Sequence, residues 1–144
     1  MSNDQKLEDV LFYLIEKTNK VIRRYSQIRF IQAGLDITVD QWLVLKKIGD
    51  SDRITQIDLA NSLYKDRASI TRILDLLLAK KLVNKVEGHD KRSYELNLTA
   101  AGRKFTDQAL TIVKDVRRKG LQSLDAKEQD TLRASLQKII KNLE

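Results

Sequence analysis

Apolar residues along the first part of the chain follow the period of an α-helix. Apolar or semi-apolar side chains recur at alternating steps of four and three, at Leu7, Leu11, Leu14, Thr18, Val21, Tyr25 and Ile28. This spacing places them on one face of a long helix, for which Gly34 is a natural stop. Val10, Ile15 and Ile22 widen the stripe, so the helix needs more partner surface than its own small domain offers. Contact with a second chain is one way to bury it.

The next segment predicts three helices, two of which are joined by a tight turn. Thr38 and Gln41 have the spacing of a capping box, which begins the first of them. Within residues 54–83, a short run of helical apolar spacing is followed by a break and then by a longer run, which predicts two helices. Thr55 can cap the first of these helices and Asp66 the second. Two helices joined by a short turn are typical of a helix-turn-helix, although many helical hairpins share the pattern.

The rest of the chain predicts a β-hairpin followed by two helices. Residues 82–86 and 94–98 have the composition of strands, and turn residues lie between them. Thr99 can cap a long helix, and a second capping box at 125–128 can begin the last one. The absence of Pro favours uninterrupted helices. The predicted fold is therefore mainly α, with one small hairpin directly after the helix-turn-helix.

Composition narrows the classes of protein to consider. The chain has 144 residues, of which 42% are hydrophobic and 33% charged, as expected for one globular domain or two small lobes sharing a core. No apolar run approaches the roughly 20 residues that span a bilayer, and the polar N-terminus is no secretory signal, so we expect a cytoplasmic protein with no membrane partner. The chain has no Cys, and His89 is its one His, so we expect no metal site and no cofactor.

Positive charge concentrates in the helix-turn-helix and the hairpin. The net charge is +7, and residues 53–104 carry 11 Lys or Arg against 6 Asp or Glu. A basic balance suggests a polyanionic partner, with nucleic acid first and acidic membrane second. Many soluble proteins are basic without such a partner, but the position of the excess charge favours DNA.

Candidate DNA-contacting side chains lie on one helix face and at the hairpin tip. The helix presents Arg67, Ser69, Thr71 and Arg72, whose hydroxyl and guanidinium groups can reach bases and phosphates. The tip presents Lys91–Arg92, and an Arg there can enter the minor groove, where the potential is most negative. One module would then span two neighbouring grooves, with the hairpin as a wing.

Each of these residues also has a plainer interpretation. Lys91 and Arg92 can be solvated turn charges, and Arg67 and Arg72 can pair with neighbouring carboxylates at little energetic consequence. Asp90 fits a brace for the wing better than a DNA contact, because it would repel phosphate.

Three ordered parts of the sequence match one family pattern. The stretch DRASITRILDLLLAKKLV looks like a recognition helix with the turn after it. The stretch HDKRSYELNLTAAG looks like a wing followed by the LT-x-x-G that opens the next helix. The third part is the pair of flanking helical regions. Together they resemble the MarR family of bacterial transcription regulators over nearly the whole chain.

This resemblance implies a homodimer with winged helix-turn-helix lobes. Residues 36–99 would form the DNA-binding lobe, and residues 1–34 and 100–144 would interleave as the dimerisation region, all within one domain of residues 1–144. Dimers of this kind bind pseudo-palindromic operators in double-stranded DNA. They often repress transcription and often release DNA when a small-molecule effector binds.

The resemblance also implies roles for individual residues. The recognition-helix residues assigned to the major groove are Arg67, Ala68, Ser69, Thr71 and Arg72. The wing residues are Lys91 and Arg92, with Arg92 in the minor groove and Asp90 as brace, and the candidate DNA-backbone contacts are Thr55, Gln56 and Lys65. The nearest candidates for an effector pocket are Tyr13, Tyr25 and Trp42, of which Trp42 equally fits plain core.

One position departs from the family pattern. Where the family usually has Gly before the Leu-Val that opens the wing, this chain has Lys81. Gly tolerates a positive φ, which Lys adopts at a cost of roughly 1 kcal/mol. The turn, and with it the angle of the wing, could therefore differ.

Two other classes of function compete with DNA binding. A winged-helix fold can bind protein in place of DNA, although an acidic or apolar face would favour that, and this face is basic and rich in hydroxyls. An enzyme is disfavoured, because the sequence shows no Gly-rich phosphate loop, no metal-ligand cluster and no nucleophile–His pair.

Overall fold

The helices and strands follow the predicted order. The structure is a computed structural model, and it describes residues 3–88 and 94–144. Its elements are a 3₁₀ turn (Leu7–Asp9), α1 (Leu11–Gln32), α2 (Val39–Gly49), α3 (Gln56–Ser62), α4 (Arg67–Ala79), β1 (Val83–Glu87), β2 (Tyr94–Leu98), α5 (Ala100–Gly120) and α6 (Ala126–Leu143). The strands pair antiparallel, with Val83 opposite Leu98 and Glu87 opposite Tyr94. The fold class is the predicted one: mainly helical, with a small β-wing after the helix-turn-helix.

Side chains at the helix N-termini explain where most of the helices begin. Each predicted N-cap accepts a hydrogen bond from the backbone N–H three residues later, and these caps are Thr38, Thr55, Asp66, Thr99 and Asp125. Such bonds satisfy N–H groups that have no partner inside the helix. Because donor and acceptor lie three residues apart, the spacing in the sequence was enough to predict them.

The predicted start of the first helix is wrong. Leu7 lies in the separate 3₁₀ turn, and α1 begins at Leu11. Val10 between them has an extended conformation, with φ −75° and ψ 124°, and it makes no side-chain capping bond. The 3₁₀ turn buries none of its residues against the described part of the chain, so no packing offsets the cost of extending the helix.

The first strand of the hairpin begins one residue later than predicted, and the second strand makes a contact that was not predicted. β1 begins at Val83 and not at Leu82, because the Leu82 N–H is used at the end of α4, where it bonds the Leu77 carbonyl at 3.0 Å. The Leu96 N–H of β2 also donates to the Ile54 carbonyl at 2.9 Å, a contact that the sequence did not indicate. The segment before α3 is therefore attached to the wing.

The core lies where helices α1 to α5 meet the two strands of the hairpin. Its largest fully buried side chains are Phe30, Val44, Leu45, Ile48, Leu59, Ile70, Leu74, Leu77, Val83 and Leu96. Burying a side chain of this size stabilises a fold by about 1.5–3 kcal/mol. Since α4 contributes Ile70, Leu74 and Leu77 to this core, its opposite face is turned towards solvent.

Lys81 lies in the turn at the end of α4, at the position where members of the resembled family usually have Gly. Lys81 has a φ of 59°, in the left-handed region. Its N–H bonds the Leu78 carbonyl, and the next N–H bonds the Leu77 carbonyl, both at 3.0 Å. This is the hydrogen-bond pattern of a Schellman motif. The turn therefore keeps a left-handed conformation in spite of the side chain.

Replacing Lys81 with Gly should stabilise the fold. The left-handed conformation costs an L-residue about 1–2 kcal/mol, and the larger entropy of unfolded Gly offsets part of the gain. We expect the free energy of unfolding, measured with urea, to rise by about 0.5–1 kcal/mol. Lys81→Ala removes the same charge and retains the strain, so it should give no such rise. Equal stability of the Gly and Ala variants would show that the left-handed φ carries no cost.

Candidate nucleic-acid interface

The turn between α3 and α4 fixes the start of α4. Tyr64 has a φ of 52°, and the Lys65 N–H bonds the Ala60 carbonyl at 3.0 Å, which closes the end of α3. Asp66 then caps α4 by accepting from the Ser69 N–H at 2.7 Å. The N-terminus of α4 is thereby held by backbone and capping bonds, as in a helix-turn-helix.

The solvent-facing side of α4 carries the residues predicted for the major groove. Ser69 is half-buried, and the exposed members are Arg67, Ala68, Thr71 and Arg72. The Arg72 guanidinium donates to the Ser69 hydroxyl at 3.2 Å, and that hydroxyl donates to Asp66 at 3.0 Å. The Thr71 hydroxyl donates to the Arg67 carbonyl at 2.9 Å. Most of these contacts join residues of α4 to each other or to its N-cap Asp66.

The two arginines of this face form no ion pairs with carboxylates in the described residues. None of the ion pairs found there within 4.0 Å includes Arg67 or Arg72. The hydrogen bonds from the Ser69 N–H and hydroxyl, with the nearby Arg72 charge, hold the pKa of Asp66 below its ordinary value of 3.8. Asp66 therefore stays ionised as a cap, and the two guanidinium groups can serve an anionic partner.

A shallow cavity of about 280 Å³ lies between α3, α4 and the hairpin. Its lining residues are Thr55, Gln56, Ile57, Arg67, Lys85, Tyr94 and Leu96. The Gln56 amide donates to the Thr71 hydroxyl, and the Lys85 ammonium lies 5.8 Å from the centroid of the Tyr94 ring. Sequence reasoning missed Lys85, which joins Arg67 at this cavity. Its place in a strand next to the recognition helix was the signal that could have identified it.

The three candidate DNA-backbone contacts have different surroundings. Thr55 and Gln56 lie at the N-terminus of α3, where the Thr55 hydroxyl accepts from the Asp58 N–H at 3.2 Å. The Lys65 ammonium lies 3.1 Å from a carboxylate oxygen of Asp40 on α2. In the free protein, therefore, Thr55 and Gln56 are at the edge of the α4 face, whereas Lys65 is engaged by a carboxylate of the protein itself.

The predictions for the hairpin tip fall outside the described ranges. They concern Lys91 and Arg92 as groove contacts, Asp90 as their brace, and His89 as a turn residue. The described residues on either side of these positions are Gly88 and Tyr94, of which Tyr94 lines the cavity beside α4.

The three candidate effector-pocket residues do not meet in one cavity of the protomer. Tyr13 lines a cavity of about 200 Å³ along α1, and Tyr25 lines another of about 440 Å³. Trp42 is buried in the core, and its indole N–H has no hydrogen-bond partner among the described residues. Basic residues of α5 face both rings, with Arg117 5.9 Å from the centroid of Trp42 and Lys119 5.9 Å from that of Tyr25.

Comparison with known proteins identifies the family. The family model described as MarR family matches residues 37–94. The multiple antibiotic resistance protein MarR of Escherichia coli strain K12 is 33% identical over 127 residues, which are 87% of this chain and 84% of the relative. The chain belongs to the MarR family. This MarR family protein is accordingly a winged helix-turn-helix transcription regulator.

Solved structures agree with the assignment to the MarR family. A mutant of MarR from E. coli, complexed with operator DNA, is 31% identical, with a TM-score of 0.80 over 90% of this chain and 92% of that chain. The MepR–DNA complex of S. aureus gives a TM-score of 0.84 over 99% of this chain and 100% of that chain. Its identity is 23%, so this second likeness concerns the fold.

Neither a membrane-spanning helix nor a cluster of metal ligands occurs in the described residues of this MarR family protein. In residues 3–88 and 94–144, none of the helices combines the length and the apolar character needed to cross a bilayer. Over the same residues, no group of three or more His, Asp or Glu side chains lies close enough to hold a metal ion.

Proposed function

We propose that this protein binds double-stranded operator DNA as a homodimer and represses transcription until a small-molecule effector releases it. The observation that carries the proposal is the exposed face of α4, where Arg67 and Arg72 stand beside Thr71 and Ser69 and form no ion pair within 4.0 Å among the described residues. Guanidinium groups can bond phosphate oxygens and guanine edges with two parallel bonds. Such a face suits the major groove of DNA.

We assign each groove to a separate element. In the proposed complex, α4 enters the major groove with Arg67, Ala68, Ser69, Thr71 and Arg72. The wing reaches the neighbouring minor groove with Lys91 and Arg92, braced by Asp90, and Thr55, Gln56 and Lys65 contact the DNA backbone. The E. coli relative that was solved in complex with operator DNA, at 31% identity, supports operator binding by a protein of this fold.

We assign dimerisation to residues 1–34 and 100–144, and DNA binding to residues 36–99. The apolar stripe of α1 supports this division, because it does not pack on its own protomer: Leu11 is 70% exposed, and Val21 and Ile28 are each 47% exposed. Helix α6 buries none of its residues within the described protomer, yet Leu132, Ile140 and Leu143 are apolar. A second copy of the chain would cover both surfaces.

We assign effector binding to the surroundings of Trp42 on α2 and Tyr25 on α1, because a basic residue of α5 lies beside each of these rings. The buried Trp42 indole N–H has no acceptor among the described residues, and leaving a buried donor unpaired is costly. The cavity beside Tyr25 is lined also by Arg29, Gln32 and Ala33. Tyr13 lies in a separate cavity of α1 and would join this region only through the dimer.

Arg72→Ala should weaken operator binding. We expect a loss of about 1–3 kcal/mol for the site in the protein's own upstream DNA, because a base-reading side chain is removed. Fluorescence anisotropy with labelled duplexes would measure it. Arg133→Ala on α6 is the matched control: it removes the same charge from a surface pair with Asp130 at 2.8 Å. Equal affinities of the two variants would contradict a groove contact by Arg72.

Two further measurements separate DNA binding from the alternative of a protein-interaction module. Affinity should fall steeply with salt, because Lys and Arg contacts to phosphate release counterions. Arg92→Ala tests the proposed minor-groove contact of the wing in the same assay. If the wild-type protein bound no DNA but retained an unrelated protein partner, the protein-interaction alternative would replace the proposed function.

A further inference from the structure

Residues 36–40, which join α1 to α2 and include the first residues of α2, form ion pairs with residues next to both ends of the recognition helix α4. Asp40, in the first turn of α2, has one carboxylate oxygen 3.1 Å from the ammonium of Lys65, just before α4. Asp36 has a carboxylate oxygen 3.2 Å from the ammonium of Lys80, just after α4, and its carbonyl accepts from the same ammonium at 3.1 Å. The recognition helix is therefore tied at both ends to residues 36–40.

Helix α1 is attached to the same segment. Its Arg23 donates through the guanidinium to the other carboxylate oxygen of Asp40. One turn further along α1, the Gln27 amide donates to the Ile37 carbonyl at 3.0 Å. Asp40 is thus shared between α1, which we assign to the dimerisation region, and the turn that precedes the recognition helix.

The pair at Asp40 is better shielded than the pair at Asp36. The side chains of Arg23, Asp40 and Lys65 are 36%, 32% and 24% exposed, whereas that of Asp36 is 99% exposed. Burial alone would raise the pKa of Asp40, but the hydrogen bonds and charges of Arg23 and Lys65 outweigh it and lower the pKa. Partly shielded charges are screened less by salt than exposed ones. The Arg23–Asp40–Lys65 contact is therefore the stronger connection between α1 and α4.

We propose that Asp40 is a positioning residue that couples the orientation of α1 to that of the recognition helix. When α1 moves, Arg23 carries the Asp40 carboxylate with it, and Lys65 transmits the change to the turn that sets α4. Operator affinity then depends on the position of a helix that is not itself in the DNA-binding lobe. This inference rests on the proposed DNA binding and adds the route by which the dimerisation region controls it.

Asp40→Asn should weaken operator binding relative to Asp50→Asn. Both substitutions remove one negative charge from the α2 region, but Asp50 pairs only with Lys46 of α2 among the described residues. Both variants therefore gain the same general electrostatic attraction for DNA, and the comparison between them removes this effect. We expect about a fivefold higher Kd for Asp40→Asn than for Asp50→Asn, because the binding-competent position of α4 is less populated. The salt dependence of the two variants should be the same, since neither substitution removes a phosphate contact.

A double-mutant cycle tests the route itself. Arg23→Gln should raise the Kd about fivefold in the wild-type background and have almost no further effect in the Asp40→Asn background, because the connection is already broken. Asp40→Glu, which keeps the carboxylate, should restore most of the affinity. Circular dichroism and thermal unfolding would verify that every variant is folded. If Asp40→Asn did not fold, a cycle of Arg23→Gln with Lys65→Gln would decide through its interaction term, because the loss of the phosphate contact proposed for Lys65 enters both arms of the cycle equally.

The outcomes separate this inference from the proposed function. Absence of DNA binding by the wild-type protein would overturn the proposed function. Normal binding by the wild type, with equal Kd values for Asp40→Asn and Asp50→Asn or with additive effects of Arg23 and Asp40, would overturn only the coupling. Tighter binding by Asp40→Asn than by Asp50→Asn would also overturn it, and would show that Asp40 withholds Lys65 from phosphate.

Discussion

Gly102→Ala is expected to destabilise the protein by about 3 kcal/mol or more, although Ala is the better helix former. A Cβ built at Gly102 would lie 2.0 Å from the carbonyl oxygen of Leu82 and 2.9 Å from its carbonyl carbon. Both atoms belong to the backbone, so no side chain can rotate away. The first turn of α5 is therefore packed directly on the turn between α4 and the wing.

The neighbourhood of Gly102 leaves little room for relaxation. The Leu82 carbonyl accepts from the Thr99 N–H at 3.1 Å. The Thr99 hydroxyl donates to the Lys81 carbonyl at 2.7 Å and accepts from the Gly102 N–H at 2.9 Å. Displacing Leu82 to make room for a methyl group would break these bonds. The substitution should therefore affect both the stability and the placement of the recognition helix.

Urea denaturation would measure the effect of Gly102→Ala, with Gly120→Ala as the matched control. Gly120 ends the same helix, and a Cβ there would meet no atom within 4 Å. Its replacement should leave the free energy of unfolding unchanged or raise it by a few tenths of a kcal/mol. A Gly102→Ala variant as stable as the Gly120→Ala variant would contradict the close approach of α5 to Leu82.

Charged substitutions in the apolar stripe of α1 should produce monomers. Leu14 is 43% exposed and Val21 is 47% exposed in the protomer, so we expect the double variant Leu14→Glu with Val21→Glu to keep a folded protomer. In the proposed dimer, both carboxylates would be buried without partners, at a cost of several kcal/mol. We expect a monomer by light scattering, and operator affinity reduced by about 100-fold or more, because the two half-sites are no longer bound together.

A variant with the same change of net charge controls for electrostatics. Lys20→Gln with Arg24→Gln also lowers the net charge by two, at exposed charged positions of the same helix. It should remain dimeric and lose much less affinity. If the Leu14 and Val21 variant stayed dimeric and bound the operator normally, the stripe would not be the dimer interface.

The helices and caps could be predicted from the sequence because their contacts are short. Thr38, Thr55, Asp66, Thr99 and Asp125 each bond an N–H three residues away, and the solvent-facing side of α4 follows from its period. The start of α1 could not be predicted in this way. The apolar residues keep the helical period as far back as Leu7, but the helix begins at Leu11. A periodic pattern does not show whether an additional turn would have other residues to pack against.

The sequence by itself determined the helical fold with its hairpin, the basic polar face of α4 and the apolar stripe of α1, since each follows from spacing along one element. The tertiary structure alone decided which distant groups meet: Lys85 with Arg67 around one cavity, Asp40 between Arg23 and Lys65, and Gly102 against Leu82. These contacts depend on how helices cross and on how closely two backbones approach. Such distances are set by packing of the whole core, and no local pattern of residues encodes them.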